Sequence, residues 1–169
     1  MKDEQIHCCW SMRRHCVVVH TYPPAAEQTC RVIRVQDGDS LTCLTTARQR
    51  LEVHLADLDA PEIGQPYGQL AQLQLFRLVY NKSVRLEVVD QKRYGAKMAH
   101  VYLGETHING EMVRQGSAWA YGGASGDSSL ALLEAEAKSQ QRGLWGLPQA
   151  EIAPPWQWRS NRKNQLSSR

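Results

Sequence analysis

A chain of 169 residues has the length of one domain with short flanking segments. A hydrophobic share of 42% excludes a wholly disordered polymer, and no apolar run approaches the ~20 residues that a membrane-spanning helix needs. The net charge of +3 is unevenly placed: residues 152–169 carry four bases and no acid, whereas residues 30–151 carry thirteen bases against fourteen acids. A body so balanced does not bind nucleic acid by bulk charge. Any handling of phosphate must therefore use a local site, with a metal as one means.

Residues 1–29 read as a disordered extension or a spoiled signal segment. Arg13-Arg14, a short apolar patch and Pro23-Pro24-Ala25-Ala26 follow one another, but His15 and His20 bracket a hydrophobic stretch far too short for export. Residues 30–36 and 39–45 are β-rich runs flanking Asp37-Gly38, a strong hairpin signal. Such a turn sets position 30 opposite 45 and position 43 opposite 32, so Cys30 and Cys43 become diagonal neighbours on one face. A cross-strand disulfide and two buried free thiols fit that placement equally. The five cysteines have no C-x-x-C spacing, which argues against a zinc finger or a thioredoxin-like motif.

Residues 49–57 alternate, with Leu51, Val53 and Leu55 on one face. Pro61, Gly64 and Pro66 make 57–67 a loop, and Ala71, Leu75, Leu78 and Val79 mark a helical stripe in 68–80. Two further strands are predicted over 83–89 and 97–103. A short helix over 109–115 stops at Gly116, and a glycine-rich loop spans 122–127. A long helix over 128–141 turns Leu130, Leu133 and Ala137 inward and ends before Gly143. Pro154-Pro155 marks the end of compact structure, leaving 152–169 as an extended basic tail. The order β-β-β-α-β-β-α-α predicts an α+β chain, a five-stranded OB-fold barrel with about three helices, in one domain over 30–151.

Two acidic clusters carry the chemistry: Asp37-Gly38-Asp39 at the hairpin, and Asp57-Leu58-Asp59-Ala60-Pro61-Glu62 after the third strand. Each has a bland reading. Asp-Gly is a good turn, and Asp59 to Glu62 with Pro61 between them matches a capping box at a helix start. Taken together, the meander brings Asp39 and Asp59 to one rim of the barrel. Two carboxylates and a backbone carbonyl form a sparse oxygen site, suited to calcium or magnesium completed by water and a substrate phosphate.

Several segments, in order, resemble the staphylococcal (micrococcal) nuclease family. They are Val32-Ile33-Arg34-Val35-Gln36-Asp37-Gly38-Asp39-Ser40, then Val53-His54-Leu55-Ala56-Asp57-Leu58-Asp59-Ala60-Pro61-Glu62, then Gly64-Gln65-Pro66-Tyr67-Gly68. Arg93-Tyr94-Gly95, Asn109-Gly110-Glu111-Met112-Val113-Arg114-Gln115-Gly116, and Glu134-Ala135-Glu136-Ala137-Lys138 leading to Arg142-Gly143-Leu144-Trp145 extend the likeness. The ending Pro154-Pro155-Trp156-Gln157-Trp158-Arg159 is similar to that of small bacterial, often plasmid-borne, members. The resemblance implies a calcium-dependent phosphodiesterase that hydrolyses DNA and RNA to 3′-phosphate ends. It implies Asp39 and Asp59 as calcium carboxylates, the Ala60 carbonyl as a third ligand and Glu62 as general base. Arg93, Tyr94 and Tyr121 would then meet the nucleotide.

Two positions depart from the family. His54 and Ala96 stand where it has arginine, so the forked guanidinium donors that grip a phosphate are absent there. His54 is a partial substitute in the catalytic set. The alternative reading is a catalytically weakened nucleic-acid-binding module of the same fold; a third is an OB domain that binds a partner without nucleic acid. A monomer is expected. Trp156 and Trp158 either dock the C-terminal segment on the barrel or form a base-stacking platform.

Overall fold

The computed structural model describes residues 27–91, 95–121 and 128–167. The expected N-terminal extension lies outside the described residues as far as position 26. The first strand, β1 (Glu27–Val35), begins three residues before the predicted start. It turns at Asp37-Gly38 into β2 (Ser40–Thr45), which pairs with β3 (Arg50–Leu55). The hairpin register places Cys30 opposite Thr45 and Val32 opposite Cys43. The turn itself holds three residues, 37–39, so Val35 faces Leu41, and an irregularity between Val32 and Arg34 restores the expected diagonal; Cys30 and Cys43 are disulfide-bonded across a Cα separation of 5.5 Å.

A two-residue strand, β4 (Leu58–Asp59), precedes helix α1 (Gly68–Val79). The chain continues through β5 (Ser83–Gln91), β6 (Lys97–Leu103), β7 (Thr106–His107) and helix α2 (Ile108–Arg114). Strand order β3-β2-β1-β5-β6, with β3 and β6 paired in parallel, closes a five-stranded barrel. Its interior is filled by alternating residues such as Val32, Leu41, Val53, Leu86 and Val101, all fully buried. The predicted α1 stripe faces this core: Ala71, Leu75 and Val79 are buried, and Leu78 packs against it partly exposed.

Strand β8 (Trp119–Ala120) pairs with β4 in a separate ribbon, and α3 (Ser128–Ser139) buries Leu130 and Ala137. The expected extended tail is instead a helix, α4 (Pro155–Ser167), which raises the helix count from about three to four. Proline is well tolerated at the first helical position, where its missing N–H has no partner to lose. No residue from 156 to 167 is a glycine or proline, so nothing interrupts the helix. Among the described residues no helix is long and apolar enough to cross a membrane.

Candidate active site

The hairpin turn is held by the Asp37 side chain. An Asp37 carboxylate oxygen accepts the backbone N–H groups of Asp39 (3.0 Å) and Ser40 (2.8 Å), which satisfies the turn with Asp37 alone. Asp39 is left to accept the Ala60 N–H at 2.9 Å, and this bond joins the two acidic clusters. Gly38 makes the approach feasible: a Cβ there would lie 2.6 Å from that of Ala60 and 2.8 Å from that of Ala71.

Asp59 is not a helix cap. It lies in β4 opposite Trp119, and the first helix starts only at Gly68. The ribbon wins over the capping pattern because Pro61 and Pro66 keep the intervening chain extended and turned. Glu62 is fixed by a tight turn. Its N–H donates to the Gln65 side-chain oxygen (3.3 Å), and its carbonyl accepts the Gln65 N–H (2.8 Å).

Asp39, Asp59, Ala60, Glu62, His54 and Tyr121 all line one cleft of about 300 Å³, together with Asp37 and Met98. His54 sits on β3 between Ser40 of β2 and Met98 of β6, so barrel closure places it there. Tyr121 stands at the mouth, 55% exposed, its N–H bonded to the Asp57 carbonyl. Ala96 lines a neighbouring groove of about 800 Å³ with Arg34 and Arg50. Arg93 and Tyr94 lie outside the described residues, as does the glycine-rich loop 122–127.

Burial, then the nearby Asp37 and Asp59 charges, push the Asp39 carboxyl up to about 8, against the opposing pull of the Ala60 N–H. Three carboxylates crowd this end of the cleft, and the cation that meets them is one that sequence reasoning missed. Arg159, on α4, donates from Nη1 to Asp59 Oδ1 (3.0 Å) and from Nη2 to Asp59 Oδ2 (2.7 Å). The same Nη1 also donates to Glu62 Oε1 at 2.9 Å. The hydrogen bonds it donates to Asp59 raise the basicity of Arg159, burial opposes them, and the bond to Glu62 adds to the rise.

Two tethers hold α4 over the cleft. Trp156 packs edge-on against Trp119 (5.7 Å between centroids) and leans on Tyr121 (5.2 Å). Buried Gln65 donates its side-chain amide to the Ala153 carbonyl. Trp156 thus takes the docking role. Trp158, half-buried, lines a groove beside Gly64.

Asn109 also escaped notice as a functional position. It is fully buried; its side-chain oxygen accepts the Val101 N–H (2.9 Å), and its amide donates to the carbonyls of Ala56 (2.9 Å) and Ala99 (3.2 Å). It pins the end of β3 to β6 just before the acidic segment. In the sequence it marked only the start of the predicted helix 109–115 and one residue of a family-like segment.

Residues 52–146 match the family model described as staphylococcal nuclease homologue. An uncharacterized endonuclease of Haemophilus influenzae is 42% identical over 139 residues, 81% of this chain and 76% of that protein. A micrococcal nuclease of Shigella flexneri is 37% identical over 159 residues, 88% of this chain and 90% of its own. An uncharacterized endonuclease of Escherichia coli is 38% identical over 130 residues, covering 76% and 83%. The match over part of the barrel, across the acidic segment and through the three helices α1, α2 and α3 places the chain in the staphylococcal nuclease family.

Proposed function

We propose that the protein is a calcium-dependent endonuclease that hydrolyses DNA and RNA to 3′-phosphate ends. The observation that carries this reading is the bond from the Ala60 N–H to Asp39, which draws Asp39, Asp59 and Glu62 into one cleft. The donor set suits a hard dication: every group is an oxygen, and the Asp39 carboxyl, crowded by like charges, gains from a cation beside it. The Arg159 guanidinium already stands as a cation on Asp59. Among the described residues no group of three or more His, Cys, Asp or Glu side chains is arranged to hold a metal ion. Asp39, Asp59 and the Ala60 carbonyl would hold calcium only as a sparse set, with water and phosphate completing the shell. When bound, calcium offsets charge building on the phosphoryl oxygens.

Glu62, at 37% side-chain exposure, is open enough to accept a proton from water and close enough to the carboxylate pair to do so beside the phosphate. Water attacks phosphorus, Glu62 takes its proton, the P–O5′ bond breaks, and solvent protonates the departing 5′ oxygen. His54 lends partial positive charge to the same cleft when protonated. Tyr121, exposed at the mouth, offers a ring to a base. Arg34 and Arg50 in the adjoining groove supply charge along a strand's path.

The test is a plasmid and single-stranded DNA cleavage assay with calcium, with EDTA as control, beside calcium calorimetry. Glu62→Gln should lose cleavage ~10²–10⁴-fold and keep its calcium heat, while Asp39→Ala should lose both. Wild-type protein that binds DNA but never cuts it would instead establish the weakened binding module.

A further inference from the structure

We propose that Arg159, reaching the cleft from the C-terminal helix, is the guanidinium that grips the scissile phosphate; this rests on the phosphodiesterase reading above. A phosphodiester must be held against carboxylates that repel it, and a fork of N–H donors does this best. Arg159 is the one guanidinium among the described residues lining this cleft. Its geometry suits the task. Of its five N–H donors, three are spent: two from Nη1, on Asp59 and Glu62, and one from Nη2, on Asp59. The remaining two, the Nε–H and the second Nη2–H, share one edge of the plane, and among the described residues they have no hydrogen-bond partner. The side chain as a whole is 43% exposed, so a ligand can reach it from solvent.

Asp59 and Glu62 thus act on Arg159 as positioning groups, fixing its plane before substrate arrives. Asp59 is not exhausted by this. A carboxylate has about four lone-pair sites, and the arginine occupies two of them, which leaves room for a cation on the same group. The helix is anchored independently of the ion pair through Trp156 and Ala153, so the guanidinium is delivered by a fixed support rather than a loose tail. Trp156 and Arg159 are three residues apart and lie on the same helical face.

The experiment compares full-length wild type, Arg159→Ala and Arg159→Lys in three measurements. Single-turnover cleavage of a fluorescent oligodeoxynucleotide at saturating calcium should fall ~10²–10³-fold in the alanine variant. The lysine variant should recover less than a tenth of that loss, since it keeps the charge but not the fork. In a Glu62→Gln background, binding of the same oligonucleotide should weaken about tenfold on removing Arg159. The slope of log K against log salt should then flatten by about 0.7 for a single strand. Calcium heats without DNA should persist in both variants.

A lysine variant as fast as wild type overturns the fork, and its intact near-UV spectrum shows that α4 has stayed docked. An alanine variant that cuts as fast or faster, with tighter calcium, makes Arg159 a placeholder counter-ion and overturns the proposal. Loss of calcium heat does so as well, by making Arg159 structural. If wild type binds with the Arg159-dependent slope but never cuts, the phosphate grip stands and the hydrolytic reading falls.

Discussion

Gly68→Ala is the sharpest perturbation of the site that touches none of its polar groups. The first residue of α1 lies directly beneath the turn carrying Glu62. A Cβ at position 68 would sit 1.8 Å from the Glu62 carbonyl oxygen and 2.6 Å from its carbonyl carbon. Both are backbone atoms, so no rotamer change relieves the clash. Opening the contact to the 3.0 Å below which real Cβ atoms essentially never pack displaces the Glu62 backbone by about 1 Å. Overpacking of that kind costs about 1–3 kcal/mol. A displacement of ~1 Å in a reacting group lowers rate ~10²-fold. Urea unfolding gives the first quantity and initial rates of calcium-dependent cleavage the second. Gly68→Ala with unchanged stability would refute the steric reasoning. A variant destabilised as expected but cutting at wild-type rate would remove Glu62 from the role of base.

Further outcomes follow from the same geometry. The Asp39 carboxyl, raised from its ordinary 3.8 to about 8, favours the metal-free fold fully below pH ~4, and that contribution is lost as pH rises toward 8. Urea midpoints in EDTA should fall across this interval in wild type and less in Asp39→Asn, and equal slopes would exclude Asp39 as the source. Calcium affinity should rise over the same interval, because the ligand must be ionised. Asn109→Ala should cost about 3 kcal/mol, since it leaves buried backbone groups of β3 and β6 without their partner; a loss under ~0.5 kcal/mol would mean water replaces the amide. His54→Arg places a permanent guanidinium in the cleft and should raise cleavage at most about tenfold if Arg159 already supplies one. A gain of ~10³-fold would show that the phosphate has no other grip.

What the sequence made legible depended on how local the cause was. Asp37-Gly38 marked the hairpin, while the meeting of Cys30 and Cys43 also needed a bulge between Val32 and Arg34 that offsets a turn one residue longer than expected. Period-two and helical patterns located the barrel strands and the faces of α1 and α3, because each answers to one buried surface. Asp39 and Asp59 could be placed together by following strand ends around the barrel, while Ala60 and Glu62 joined them through the family resemblance. The failures were non-local. A ribbon of two residues per strand carries no periodic signal, so the local pattern around Asp59 offered a capping box and gave no hint of its pairing with Trp119. Arg159 reaches Asp59 across 100 residues, beyond a proline pair that looked like an ending. The usable signal was Pro155 as a helix start, with Trp156 and Arg159 three apart on the face that follows.

The parallel seam between β3 and β6 has a kinetic consequence. Residues 53–55 meet 97–99 only after α1 and β5 have been laid down, so closing the barrel is a long-range event with a large loop-entropy cost. The acidic cleft sits at that seam, with His54 on one side of it and Met98 on the other, and the arginine that lines it comes from α4, more than 50 residues further along the chain than β6. A nascent or partly folded chain therefore has the carboxylates without the pocket. The cleft is therefore assembled only once strands far apart in the chain have met.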